Sequence, residues 1–339
     1  MMKAAVFYSA HDLRVEETPV AALGEKDVLI RVRACGICGT DVHIFHGDEG
    51  AAKTPAGTAL GHEFAGEIVQ VGAGVTHLKP GDRVCVDPNQ LCGECEYCLG
   101  GIGHFCENMT GIGTTVHGGF AEYCVVAASQ AYRFSDSVSF DAAAMTEPVS
   151  CCLHGIDLCE IQGGSTVAVI GCGMIGLIML QLAKLRGAAR LIAVEPVPEK
   201  RQQALDLGAD MALDPREDWE KALKDAGITR IDTVIECAGH TDTMEMAIRM
   251  AGNKSLVMLF GLTAPNDTIS VKPFEIFKKE ITLKASFINP YTFSRALKLI
   301  ESGKVDVTSM VHRTAPLSEL PEILSDSEKR RGGKIIIHP

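Results

Sequence analysis

Ser165-Thr166-Val167-Ala168-Val169-Ile170-Gly171-Cys172-Gly173-Met174-Ile175-Gly176 decides how the second half of this 339-residue chain folds. A short run rich in β-branched and apolar residues meets three glycines spaced G-x-G-x-x-G, and an apolar stretch of helical character continues to Leu185. The pattern predicts a strand, a tight turn and a helix. In that context Gly171 permits the turn, Gly173 lets a pyrophosphate approach the backbone, and Gly176 lets the helix pack onto the sheet. The phosphates would sit at the helix N-terminus, where backbone N–H groups lack intrahelical partners. Glycines alone mark many ordinary turns; it is the flanking strand and helix that make a dinucleotide site the expectation.

Downstream, Leu191-Ile192-Ala193-Val194 reads as a second strand ending at Glu195, 19 residues after Gly176. A carboxylate there can accept hydrogen bonds from ribose hydroxyls and repels a 2′-phosphate, which favours NAD over NADP. Lys200 and Arg201 lie nearby and soften that preference. Further strands are expected over Ile231 to Ile235, Ser255 to Leu259 and Ile281 to Ala285. Strands alternating with helical stretches imply a parallel, doubly wound α/β sheet. Beyond about residue 290 one helical run, Ser294 to Ser302, precedes a terminal Gly333-Lys334-Ile335-Ile336-Ile337.

Upstream, residues 1 to about 150 show short β-like runs divided by glycine, proline and charged turns, among them Val28 to Arg33, Phe64 to Val71 and Arg83 to Val86. This half carries two sets of metal-ligand residues. Cys92, Cys95, Cys98 and Cys106 form C-x2-C-x2-C-x7-C, enough to close all four positions of a tetrahedral Zn²⁺, as structural sites do. Such an ion would fold a loop too poor in apolar residues to fold alone. Cys38, His62 and Glu63 supply three mixed ligands and leave a position open, as catalytic sites do. A thiolate and a carboxylate with a neutral imidazole cancel the Zn²⁺ charge, and such a site lowers the pKa of a bound alcohol. Cys35 reads as packing.

The composition limits the function classes. A formal net charge of −11 argues against a nucleic-acid or anionic-membrane partner. The most apolar stretch, Val167 to Leu180, is short and interrupted by glycines, so it reads as a buried strand entering a helix. Met1 to Phe7 reads as a strand rather than a signal peptide, so the thirteen cysteines are expected to hold metal rather than form disulfides, in a soluble cytoplasmic protein.

Together, Cys35-Gly36-Ile37-Cys38-Gly39-Thr40-Asp41-Val42-His43, Gly61-His62-Glu63, the four-cysteine run and the glycine signature resemble the zinc-dependent medium-chain dehydrogenases, most closely the branch of sorbitol, xylitol, arabinitol and threonine dehydrogenases. The resemblance implies a GroES-like β-barrel catalytic domain over 1–152 and 290–339, with a structural zinc lobe at 88–110, and a Rossmann NAD-binding domain over 153–289, with a cleft between the two domains. It implies one catalytic zinc on Cys38, His62 and Glu63, one structural zinc on the four cysteines, and NAD. Thr40 and His43 would relay the substrate proton, and Glu147 would hold the zinc-bound water or exchange with Glu63. The cofactor-binding set would be Gly171, Gly173, Met174, Ile175, Gly176, Glu195, Lys200, Cys237, Gly261, Leu262, Phe287 and Asn289, with Phe120 and Tyr291 as further candidates for the pocket or the cleft. The implied reaction moves a hydride from a secondary alcohol of a polyol to NAD⁺, giving a ketose. Phe45-His46-Gly47-Asp48-Glu49-Gly50, expected to line the pocket, has no Lys or Arg before Lys53, which favours an uncharged polyol over a sugar phosphate or sugar acid. The alternatives are L-threonine 3-dehydrogenase or a sugar-phosphate or sugar-acid alcohol dehydrogenase of the same family, and a non-catalytic sensor on the same fold is a more distant reading. The family implies a homodimer or homotetramer built through the Rossmann sheets.

Overall fold

A computed structural model describes residues 1–48 and 53–339. The chain divides into two compact units, one of Met1–Ser150 with Pro290–Pro339 and one of Cys151–Asn289.

In the first unit the central strand Asp27–Gly36 buries Val28, Ile30, Val32 and Ala34 while the intervening residues turn outward, the period-two pattern of a pleated strand. It pairs antiparallel with Glu63–Val71 on one side and with the terminal strand Lys334–His338 on the other, and also with Tyr123–Ala127. The sheet runs on through Arg83–Val86 to Ala131–Arg133 at one edge and ends at Val311–Pro316 at the other. A smaller sheet joins Asp12–Thr18, Met2–Ser9 and Thr58–Ala59. Ile30, Leu60, Phe64, Ile68 and Phe120 share one core with Ile335 and Ile337 of the tail. Each such side chain contributes about 1.5–3 kcal/mol on burial, which is why the tail strand is held so far from its neighbours in sequence. The tail region also holds a helix at Leu320–Ser325, besides Phe293–Glu301, where only one helical run was expected. It spans six residues and buries Leu320, Ile323 and Leu324, a single turn of apolar spacing too short to stand out.

The second unit is a six-stranded parallel sheet in the order Met211–Leu213, Arg190–Val194, Thr166–Ile170, Thr233–Glu236, Leu256–Leu259, Thr282–Ala285. Numbered by occurrence this is 3-2-1-4-5-6, the doubly wound order whose ligands bind at the carboxyl ends of the strands where the order reverses. Thr166–Ile170 is that reversal point, and Val167, Ala168 and Val169 are wholly buried, as in a strand covered on both faces. The strand expected over 231–235 is displaced to Thr233–Glu236: Ile231 is buried in the core, but the ladder starts after Asp232, whose carboxylate caps the Thr166 amide at 2.9 Å. Among the described residues no helix is long and apolar enough to cross a membrane.

Candidate metal centres and dinucleotide site

The helix Gly39–His46 follows directly on Cys38 and ends at Gly47, whose φ of 89° is the left-handed conformation common at helix ends. Asp41, in its first turn, is wholly buried. One of its carboxylate oxygens accepts from the Cys38 amide at 2.8 Å, and the other lies 3.4 Å from His62 Nδ1. One acid thus positions two of the three candidate ligands, in the manner of the carboxylates that orient metal-bound histidines. Cys38, His62 and Glu63 offer donor atoms all within 4.8 Å of one another.

Glu63 carries the feature the sequence had not suggested. Its Oε2 is paired with the ammonium of Lys334, which also donates to the Ile37 carbonyl at 2.8 Å. Its Oε1 is buried and has no hydrogen-bond partner among the described residues. A buried carboxylate oxygen left open beside a thiol and an imidazole is what a metal ligand looks like before the ion is counted. The charges agree. With Cys38 as thiolate, the buried Asp41, Glu63 and Lys334 leave two surplus negative charges, a costly burial that one dication neutralises. Counting ligands alone had balanced the ion already; Asp41 and Lys334 enter that balance as an opposed pair. Burial by itself would depress the His62 pKa, but Asp41 and Cys38 outweigh it and raise it well above the ordinary value. Without a metal, a proton takes the place that an ion would hold. The residues therefore fit Zn²⁺.

Thr40 and His43 are one turn apart on the same helix, hence on one face. Thr40 Oγ1 accepts from the Cys38 thiol at 3.7 Å, while His43 is half-exposed with Nδ1 3.3 Å from Asp48. Glu147 is buried in the first turn of Thr146–Cys159 but is not one of the three clustered donors. Phe120 is fully buried beside Gly61, and the Tyr291 hydroxyl stands over Gly103 of the four-cysteine lobe. Cys35 is core, its pKa pushed well up by burial. Of the expected pocket segment, Glu49 and Gly50 lie outside the described residues.

The four sulfurs of Cys92, Cys95, Cys98 and Cys106 also lie within 4.8 Å of one another. Backbone N–H groups of Glu94 and Cys95 hold the Cys92 pKa down to about 6, poised for a thiolate ligand. Between Gln90 and Met109 only Gly103 and Cys106 are buried. Leu99, Ile102 and Phe105 point outward, so the lobe has no apolar core to hold it without an ion.

In the second unit Gly171 has φ 89°, and a Cβ there would meet the Ala238 amide at 2.9 Å. A Cβ at Gly176 would run into the Gly171 carbonyl, while one at Gly173 meets nothing within 4 Å. Two glycines are thus required by close packing and the third leaves open space at the head of the helix Met174–Leu185, where Met174 and Ile175 stand partly exposed. Glu195 is buried at the end of its strand and accepts from the Cys172 amide at 2.8 Å and the Val197 amide at 3.0 Å. Lys200 lies in the next helix, Pro198–Asp206, and its charge is felt at the buried Cys172 thiol. Cys237, Gly261 and Leu262 follow the carboxyl ends of the neighbouring strands, and a Cβ at Gly261 would strike the Gly239 amide, so these loops pack on one another at the switch point. Phe287 is partly exposed and Asn289 buried, both beyond the last strand.

Comparison with known proteins agrees with this geometry. Residues 24–136 match the alcohol dehydrogenase GroES-like domain and residues 175–302 the zinc-binding dehydrogenase domain. D-arabinitol dehydrogenase 1 of Uromyces fabae is 32% identical, over 100% of this chain and 97% of its own. The chain belongs to the zinc-binding alcohol dehydrogenase family. L-threonine 3-dehydrogenase of Bacillus velezensis is likewise 32% identical to this dehydrogenase, over 98% of this chain and 96% of its own. A solved structure from Sinorhizobium meliloti 1021, assigned as a zinc-binding dehydrogenase and bound to NADP, superposes with a TM-score of 0.95 at 36% identity, covering 100% and 99% of the two chains.

Proposed function

We propose that this dehydrogenase oxidises a secondary alcohol of an uncharged polyol to a ketose, passing the hydride to NAD⁺ and releasing a proton. The observation that carries the reading is the Cys38–His62–Glu63 cluster, with His62 and Glu63 buried and one Glu63 oxygen open, in a chain whose other unit ends its first strand in a close-packed glycine turn. When bound, zinc supplies the Lewis acidity that lowers the pKa of a coordinated hydroxyl. Asp41 holds Cys38 and His62 in place for the ion, and Lys334 offsets the Glu63 charge. Thr40 Oγ1 takes the substrate proton and His43, half-exposed one turn along, passes it to solvent. Glu147, buried but outside the three donors, would hold a water beside the ion or exchange with Glu63 as a ligand. The amides heading Met174–Leu185 receive the pyrophosphate, and Glu195 accepts from the adenosine ribose.

L-Threonine is the second reading, supported by a threonine dehydrogenase at the same 32% identity as the arabinitol enzyme. The Sinorhizobium structure is bound to NADP, whereas Glu195 in this chain favours NAD. The test is reduction of NAD⁺ and NADP⁺ by the purified protein across xylitol, sorbitol, arabinitol, galactitol, galactitol phosphate and L-threonine, with and without chelator. Chelator-sensitive turnover of one uncharged polyol is expected; turnover of L-threonine alone would replace the polyol reading.

The same proposal extends to location and assembly. Thiolates kept for metal suit a reducing cytoplasm. Thr282–Ala285 is a sheet edge, and next to it in the chain the helix Pro273–Lys279 leaves Phe274 and Phe277 70% and 77% exposed. An unpaired edge with a neighbouring aromatic pair suits a two-fold dimer in which the edge meets its own copy. Phe277→Asp is expected to shift the protein from dimer or tetramer toward monomer in light scattering; an unchanged mass would remove this face from the assembly.

A further inference from the structure

The backbone that presents Glu195 is clamped from outside the strand. Asp214 follows Met211–Leu213, the sheet neighbour of Arg190–Val194, and gathers two arginines. Its Oδ1 accepts from Arg216 Nε at 2.8 Å and from the Arg216 amide at 3.0 Å, and its Oδ2 accepts from Arg201 Nη1 at 3.2 Å and from Arg216 Nη2. Both guanidiniums then reach back to the turn. Arg201 Nη1 donates to the Glu195 carbonyl at 2.6 Å and Arg216 Nη2 to the Pro196 carbonyl at 2.7 Å. Apart from Lys200 in the helix Pro198–Asp206, the turn has little else to offer an anion. Pro196 and Pro198 have no N–H, and the Val197 amide is taken by Glu195 itself at 3.0 Å.

A 2′-phosphate on the ribose needs a free guanidinium or free amides close to the end of this strand, whereas a ribose hydroxyl needs only the carboxylate. We propose that Asp214 is a specificity-determining positioning residue: by holding Arg201 and Arg216 on the carbonyls of Glu195 and Pro196, it keeps the Glu195 carboxylate at the ribose edge and withholds both guanidiniums from a 2′-phosphate. The chain thereby discriminates NAD from NADP with a residue that touches neither. This rests on the dinucleotide reading above and adds to it the device that sets its preference.

The test is direct binding, by fluorescence titration of NADH and of NADPH to the zinc-loaded protein. The wild type is expected to bind NADH the more tightly. Asp214→Ala is expected to move the NADPH-to-NADH affinity ratio about tenfold or more toward NADPH, because two guanidiniums are released beside the 2′ position. Asp214→Asn, which keeps the shape, is expected to move it in the same direction by less, and serves if the alanine variant does not fold. Removing Arg201 and Arg216 as well, by alanine substitution in the Asp214→Ala background, is expected to return the ratio to the wild-type value. Parallel weakening of both ligands in Asp214→Ala would show a merely structural role and overturn the proposal, as would a gain that survives loss of both arginines. A wild type that prefers NADPH would overturn it while leaving the dinucleotide reading intact. A wild type that binds neither would bring down the reading itself.

Discussion

His62→Ala is expected to cut turnover by on the order of a thousandfold, since the Lewis acidity lost is worth several kcal/mol and each 1.36 kcal/mol is a factor of ten. It is also expected to halve the zinc content measured by atomic spectroscopy, because the four-cysteine lobe keeps its own ion. Cys38, His62 and Glu63 are the donors of one cluster, and without the imidazole the ion has two ligands and a buried Asp41 with no histidine to orient. Asp41→Asn is the graded comparison, because partners that act through a ligand typically cost 10–100-fold. Loss of turnover with full zinc retention would assign the catalytic ion to other residues. Retained turnover with half the zinc would make the cluster dispensable for the chemistry.

The second large effect is expected at Lys334. Lys334→Met keeps the length of the side chain but leaves the Glu63 carboxylate buried beside no ammonium, a loss that costs about 3–5 kcal/mol when one partner of a buried pair is removed. The cost should be largest in the zinc-free protein, where the neighbouring His62 is the remaining cationic group of the cluster, and smaller in the loaded one, where an ion would share the Glu63 charge. Thermal unfolding of both forms reads this difference directly. Adding Glu63→Gln to Lys334→Met is expected to recover part of the apo stability, because it removes the stranded charge, and with Glu63→Gln alone the four proteins form a double-mutant cycle. Equal melting temperatures for wild type and Lys334→Met in both forms would mean that Lys334 and Glu63 are not coupled in solution.

These two predictions mark where sequence reading succeeded and where it ended. The cysteine spacings, Gly61-His62-Glu63 and the glycine signature were legible because metal and phosphate sites draw several groups from short stretches of chain, and their chemistry restricts which residues serve. Strand alternation exposed the parallel sheet for the same reason, to within a residue or two at strand ends. Lys334 was not legible, because its partner lies 271 positions away and a lysine heading an apolar tail looks like a strand terminus. Asp41 stood in the Cys38–His43 motif with no role assigned; its place between Cys38 and His62 depends on how Glu63–Val71 is placed against the helix start. Asp214 and its arginines were hidden because they act through carbonyl oxygens, which every residue has. Phe120 read equally as a pocket residue or as packing, and its place against Gly61 could not be seen in the sequence, since burial of an aromatic depends on tertiary placement and not on its neighbours in sequence.

The return of the tail strand also sets the timing of assembly. During synthesis the ligands Cys38, His62 and Glu63 emerge early, yet the cation that offsets Glu63 is made 271 residues later. At ribosomal speeds of about 5–20 residues per second the nascent first unit spends roughly 15–50 s with a ligand set but an unfinished pocket. The charge balance at the cluster is therefore completed only once Lys334 is made, and removal of the strand Lys334–His338 would act on that buried balance.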